Sequence, residues 1–422
     1  MRLRIKEISE KLFLFFIPLL FIFPFFKENI STFFFILVAL NTGLYSYSTK
    51  SYRNFDFKVL YLTIPFWIIT VFSLLRMELV ENLVAINHAL FFLLFPVVFS
   101  LIPKTFFSGE KVNLYLTIFK NTCLIIAVSY IVAFLYKYDF SDFFVYQYNI
   151  PKFRDFVYSE IPFFRIHPTY YSSMIIVCTA FSFKKVLEKK AYFELFYVAA
   201  FLLITFLLLS KINILFLFAL LICMPLTLRH FSLKRKVMVT VSFLLLGSIL
   251  AFSIPGVKNR FVEMYNSYNN PPKGLSYDST NVRLSITKCS IELAKEHYLF
   301  GVGFGKLQES LDECYKTNYD SDFFVTIKYM THNYFLYMLI SAGIFALLFF
   351  LFYCYKVFRV VLKVDQFLLY VMTLNILIIC FTEDFFYRHY GIFFFHLILM
   401  TFLRNDAFRK NPTSDELKNP EN

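Results

Sequence analysis

Charge is scarce in this sequence: 17% of its 422 residues are Asp, Glu, Lys or Arg, against roughly 25% in ordinary soluble domains. That shortage excludes a conventional water-soluble globule. Cysteine is sparse as well, with seven residues, and no Cys or His spacing resembles a zinc site. Cys123, Cys178, Cys223, Cys354 and Cys380 fall in apolar runs, where a thiol behaves as a small apolar group. Only Cys289 and Cys314 share a long polar segment, and in an oxidising compartment they form either a disulfide or two unpaired thiols. Nor is a cleavable leader expected. The first apolar run follows Arg2, Arg4, Lys6 and Lys11 but leads into Lys27-Glu28-Asn29, not a small-residue cleavage site, so it reads as an uncleaved span.

Apolar residues are what the chain has, at 58% hydrophobic and 21% aromatic. Runs of roughly 15 to 25 apolar residues recur along it, close to the ~20 needed to cross a ~30 Å hydrocarbon core. About twelve are present, near 12–26, 30–46, 59–75, 83–102, 112–136, 168–183, 192–210, 212–227, 237–254, 333–354, 367–382 and 390–403. The expected fold is all-α: a polytopic membrane protein with about 12 transmembrane helices. One integral membrane domain covers 1–422, with a shorter outer loop at 137–167, a large outer loop at 255–331 containing amphipathic helices, and a cytoplasmic tail at 404–422. Lys and Arg asymmetry sets the orientation. With the N-terminus inside, the inner segments hold clusters such as Lys50/Arg53/Lys58, Lys184/Lys185/Lys189/Lys190 and Lys356/Arg359/Lys363, while the short outer turns hold only Lys27, Arg76, Lys211 and Arg388. Both termini are therefore expected in the cytoplasm. Topology signals and anionic membrane lipids account for most of the net charge of +13, so no nucleic acid partner is needed.

The two longer outer loops are rich in basic residues for translocated segments, which fits either a solvated face or an anionic substrate. Asn281 to His297 has helical periodicity, with Val282, Ile286, Cys289 and Leu293 in one apolar stripe. Arg283 lies near its start, where a cation opposes the helix dipole and calls for a compensating anion, unless the side chain snorkels into solvent. Gly301, Gly303 and Gly305 alternate in the run Leu299 to Leu307, permitting close approach to a ligand or merely a tight turn. This is no nucleotide P-loop, because Leu307 stands where a magnesium-holding Ser or Thr belongs. The loop ends in Thr331-His332-Asn333-Tyr334; His332 is placed either to take a proton from a hydroxyl or to serve structure. Arg165 and His167 precede a helix start at Pro168-Thr169, and Lys211 sits in a tight turn between two spans, facing a polar cavity or snorkelling. Glu383, Asp384, Arg388 and His389 crowd the last outer turn and are expected to pair with one another.

Three pieces in this order resemble the O-antigen ligase and polymerase superfamily: Asn281-Val282-Arg283 opening a loop helix, "GVGFG" about twenty residues on, and "THNYFLYMLISAGIFALLFF" at the next span. "RIHPTYYS" from Arg165 and "LLSKINILFLF" from Leu208 are similar to further family segments. Two positions depart from the pattern. Lys211 stands where the family commonly has Arg, which weakens a bidentate phosphate contact, and Tyr298 stands where Pro often precedes the glycine run. The resemblance implies transfer of a glycan from undecaprenyl diphosphate to an acceptor hydroxyl on the periplasmic face of a bacterial inner membrane, with no nucleotide sugar, cofactor or required metal. It implies a diphosphate clamp of Arg165, Lys211 and Arg283 and a general base at His332. His167, Tyr170 and Asn333 would orient them, and Gly301, Gly303 and Gly305 would let the loop close. A ligase would deliver to a lipid A core and a polymerase to another repeat unit. The order of the Arg, Gly and His-Asn features favours the ligase. A secondary transporter is the alternative of another class, but the polar groups gather at one face and the halves show no repeat.

Overall fold

The computed structural model describes residues 1–147, 150–161, 166–227, 232–253, 279–319, 327–364 and 366–405, with isolated positions 262, 265, 266 and 324. Among them the regular structure is helical apart from one two-residue antiparallel pair, Tyr146–Gln147 with Ile150–Pro151. The helices are α1 (Arg2–Leu20), α2 (Glu28–Thr49), α3 (Ile64–Leu75, entered through a 3-10 turn at Phe57–Thr63), α4 (Leu83–Leu101), α5 (Gly109–Lys137), α6 (Lys152–Asp155) and α7 (Pro168–Lys189). They continue as α8 (Glu194–Leu208), α9 (Lys211–Thr227), α10 (Leu233–Ser253), α11 (Ser279–Glu296), α12 (Leu307–Asn318), α13 (Tyr334–Val364), α14 (Phe367–Ile379) and α15 (His389–Leu403).

Each of the apolar runs read from the sequence falls on a helix, but fewer than twelve qualify as spans by length and composition. Among the described residues five do: Glu28–Thr49, Phe57–Leu75, Leu83–Leu101, Gly109–Lys137 and Tyr334–Val364. Shorter apolar helices include α14 and α15, with 13 and 15 residues. At 1.5 Å per residue these reach only about 20 Å, short of a ~30 Å core. The reason is local. The chain between them leaves the helix at Cys380 and spends Phe385–Tyr387 in a 3-10 turn, and that turn forms part of the cleft described below. The recurring apolar helices make this a multi-pass membrane protein.

Two helices form the centre. In α7 every residue from Pro168 to Phe183 is buried, and in α15 every residue from Gly391 to Phe402, the all-round burial expected of a helix surrounded by other helices. Aromatic rings fill the contacts. Phe95 lies 4.4 Å from Phe35 and 4.9 Å from Phe393, centroid to centroid, in tilted and edge-to-face geometries that add about 0.5–1.5 kcal/mol per pair beyond area burial. At the end of the bundle away from the cleft, Lys120 of α5 and Glu194 of α8 form an ion pair at 2.5 Å, both nearly inaccessible, with Lys185 at 3.5 Å. Lys120 also sits 3.6 Å from the Tyr197 ring centroid. The apolar runs hid this pair.

Helix α13 is broken at Gly343, whose φ of 81° and ψ of −175° leave the helical region. The segment 298–303 threads into the break. Val302 and Gly303 donate their N–H groups to the carbonyls of Ile340 and Ser341 at 2.7 and 2.9 Å, and Ile344 donates to Tyr298 at 2.7 Å, so the backbone groups orphaned by the break are paired. Arg76 locks the segment, giving Nη1 to the carbonyls of Phe300 and Gly301 and Nη2 to that of Val302. Gly305 donates to Asn82 Oδ1, and Lys306 pairs with Glu78 at 3.1 Å. A Cβ at Gly343 would fall 2.0 Å from the Leu299 carbonyl oxygen, and one at Gly301 2.4 Å from Ser341. Gly343→Ala is therefore expected to cost about 3 kcal/mol, from backbone strain and the clash together. Gly43→Ala on α2, where a Cβ meets nothing within 4 Å, is the control. Thermal melts of the detergent-purified proteins compare them, and equal melting temperatures for the two variants would overturn the account.

Candidate functional site

Residues from the loops and helix starts converge on one cleft of about 580 Å³, where α7, α9, α11, α13 and α15 begin. Helix α11 matches the expected periodicity. Val282, Ile286, Cys289 and Leu293 are buried and turn Arg283 toward the cleft. The disulfide question left by the sequence is answered: Cys289 and Cys314 are bonded, tying α11 to α12.

The anion that Arg283 calls for is Glu383. Arg283 Nη2 donates to Glu383 Oε1 at 2.6 Å, and Glu383 Oε2 lies 3.0 Å from His332 Nδ1. One carboxylate thus bridges the two residues that the sequence singled out. Burial works against a charge on Glu383, yet His332, Arg283 and His167 around it hold its carboxyl well below the ordinary range. An ionised carboxylate only accepts, so the Nδ1 atom of His332 carries the proton and Nε2 is left as the basic nitrogen.

Asp384 holds the turn that carries the histidine. It accepts from the Thr331 hydroxyl at 2.5 Å, the His332 N–H at 2.9 Å and the Asn333 N–H at 3.2 Å. Burial pushes its carboxyl up, against the pull of His332 and the Thr331 hydroxyl. His332 itself adopts φ 45°, a left-handed conformation that costs a side-chain-bearing residue about 1–3 kcal/mol and persists only where surroundings enforce it. Asn333 caps α13, its Oδ1 accepting from the N–H groups of Phe335 and Leu336 at 3.0 and 3.1 Å. The expectation that Glu383, Asp384, Arg388 and His389 pair with one another is thereby corrected. Glu383 and Asp384 turn to Arg283 and the 331–333 segment, and His389 lies 3.1 Å from Thr32 Oγ1, because the turn faces α11 and α13 and not itself.

Lys211, the first residue of α9, lines the cleft, with its Nζ 3.1 Å from Thr280 Oγ1. His167 caps α7, its Nδ1 accepting weakly from the Thr169 N–H at 3.4 Å. Burial pushes its ring down to about 3; Glu383 pulls the other way, and Arg388, Arg154 and His332 add repulsion. It is thus a neutral, positioning group. Tyr170 stacks on Phe385 at 4.8 Å and donates to the Asp384 carbonyl at 3.1 Å, fixing the turn from α7. Arg165 lies outside the described residues. Gly301, Gly303 and Gly305 do not line the cleft; they occupy the helix break and its lock.

Sequence reasoning missed two cations. Arg388 sits 5.9 Å from the Tyr170 ring centroid, and Arg154 donates to the Leu208 carbonyl at 2.7 Å, at the end of α8; both line the cleft. Arg154 carries no motif. Arg388 was visible as a cation in a short outer turn, but nothing local aimed it at Tyr170. With Arg154, Lys211, Arg283 and Arg388 from four separate segments and a histidine beside them, the cleft suits an anionic ligand.

No curated protein matches the chain. Residues 196–351 match the family model described as O-antigen ligase, a stretch containing Lys211, Arg283, the glycine run and His332, while Arg154, Glu383, Asp384 and Arg388 complete the cleft from outside it. That stretch, and with it the part of the chain that supplies Lys211, Arg283 and His332 to the cleft, is similar to the O-antigen ligase family.

Proposed function

We propose that the protein transfers a glycan from polyprenyl diphosphate, of the undecaprenyl class, to an acceptor hydroxyl bound in this cleft, and that it acts as a ligase delivering to a lipid A core at the periplasmic face of the inner membrane. The observation that carries the proposal is the Arg283–Glu383–His332 bridge beside Lys211, Arg154 and Arg388. In the reaction, the acceptor oxygen forms a bond to the anomeric carbon and the bond from that carbon to the diphosphate oxygen breaks. The hydroxyl proton passes to His332 Nε2, and the leaving polyprenyl diphosphate gains negative charge, which the fixed cations stabilise. Lys211 is the first residue of α9, where the helix dipole adds to its attraction for an anion. Charged cleft and apolar bundle together suit a donor with a polar head and a hydrocarbon tail.

Arg283→Ala is expected to remove most glycan transfer while protein level is maintained, and Arg283→Lys to recover only part, because a point charge makes fewer directed contacts with a diphosphate. Transfer from purified lipid-linked donor measures both; near-normal turnover of Arg283→Ala would exclude the clamp. In cells lacking the protein, long chains left on the lipid carrier support the ligase, and single repeats on the core would assign it as a polymerase.

A further inference from the structure

At the end of α13 away from the cleft lies a second basic concavity, of about 500 Å³, between that helix and the 3-10 turn leading into α3. Lys356, Arg359 and Lys363 recur at helical spacing along one face of α13, and Lys58 meets them from the turn. The walls are aromatic: Phe57, Tyr61 and Tyr355. Lys356 lies 5.0 Å from the Phe352 ring centroid, and Arg359 donates to the Tyr355 hydroxyl at 3.0 Å. Among the described residues none of the four cations is in an ion pair with a carboxylate. The nearby Asp56 accepts instead from the Lys58 backbone N–H, capping the turn.

A topology signal needs only positive charge in a loop. It does not need cations from two distant segments gathered into one hollow with aromatic walls. Such a hollow matches a ligand with phosphates at its head and hydrocarbon at its base. Phe57 and Tyr355 are exposed, as ring side chains are where they meet the interfacial region of a bilayer. Basic pockets between spanning helices take anionic lipid headgroups for this reason.

We propose that this groove binds an anionic phospholipid bearing two phosphates, of the cardiolipin class, with Lys356, Arg359, Lys363 and Lys58 around the headgroup and Phe57, Tyr61 and Tyr355 against the glycerol and upper acyl carbons. Four cations complement two phosphates, and the site is distinct from the cleft that holds Arg283 and His332.

The test is native mass spectrometry of the full-length protein released from detergent, with cardiolipin, phosphatidylglycerol, phosphatidylethanolamine or inorganic pyrophosphate added. Cardiolipin should be retained one per chain and in preference to the other lipids. The variant K356A/R359A/K363A should bind it on the order of 100-fold more weakly. The variant K104A/K189A/K190A, which removes as many cations elsewhere, should bind as wild type. These groove residues are partly or fully exposed, so the variants are expected to fold, and a thermal melt checks that. Equal retention of phosphatidylethanolamine, or equal weakening in both variants, would overturn the site. Full competition by pyrophosphate would assign the groove to a soluble diphosphate and overturn the lipid.

Discussion

Glu383→Gln should reduce turnover by about 10²–10⁴-fold while leaving the melting temperature and the apparent KM for donor close to wild type. The substitution preserves shape and keeps an acceptor for Arg283 Nη2, which now lies 2.6 Å from Oε1. What it changes is the atom 3.0 Å from His332 Nδ1. An amide nitrogen there donates, so Nδ1 must accept and the ring proton moves to Nε2, the nitrogen proposed to receive the acceptor's proton. His332→Ala should fall in the same range, and the double variant should be scarcely worse than either, because the two residues act as one unit. Transfer from lipid-linked donor, with thermal melts alongside, measures all three. Wild-type turnover in a well-folded Glu383→Gln would sink the tautomer argument, and a double variant showing multiplied losses would show that the residues act separately.

The second large effect is on stability. Glu194→Gln leaves Lys120 facing a neutral amide in a site where both side chains are 1–2% exposed. Removing one partner of such a buried pair costs about 3–5 kcal/mol, since the remaining charge is stranded. Lys185, 3.5 Å away and partly exposed, can reach water; Lys120, held between α5 and the Tyr197 ring, cannot. The melting temperature of Glu194→Gln should drop well below wild type, and the double variant Lys120→Met/Glu194→Leu should regain most of the loss, as an apolar pair carries no desolvation penalty. A Glu194→Gln protein that melts with wild type would show that the pair contributes nothing.

These two pairs mark the boundary of what the sequence disclosed. The apolar runs and the stripe Val282, Ile286, Cys289 and Leu293 were legible because burial follows a local period, and His332 and Arg283 stood out through motif and position. Glu383 was visible only as part of a crowded acidic turn. Its partners His332 and Arg283 are 51 and 100 residues distant, and nothing local distinguishes an acid that pairs with its neighbours from one that reaches across a cleft. Lys120 and Glu194, 74 residues apart, were overlooked because a lone charge hardly disturbs an apolar run. The run Gly301, Gly303 and Gly305 was read as permitting close approach to a ligand or a tight turn, and nothing local named the neighbour. At Gly301 it is another stretch of this same backbone, which meets the chain again at Gly343.

That contact has a bearing on how the chain is made. In segment 298–303 the Val302 and Gly303 N–H groups and the Tyr298 carbonyl find their partners in Ile340, Ser341 and Ile344, residues synthesised some forty positions later and belonging to a helix that must itself enter the bilayer. Until then, the stretch joining α11 to α12 has no rigid anchor on the α13 side, although the disulfide between those two helices can already form. The histidine turn at 331–333 must wait further still, for Asp384 to emerge. A ribosome paused before residue 383 therefore presents a chain in which Arg283 and His332 still lack the carboxylate that bridges them, and the cleft is assembled only when the turn at 383–388 has been made.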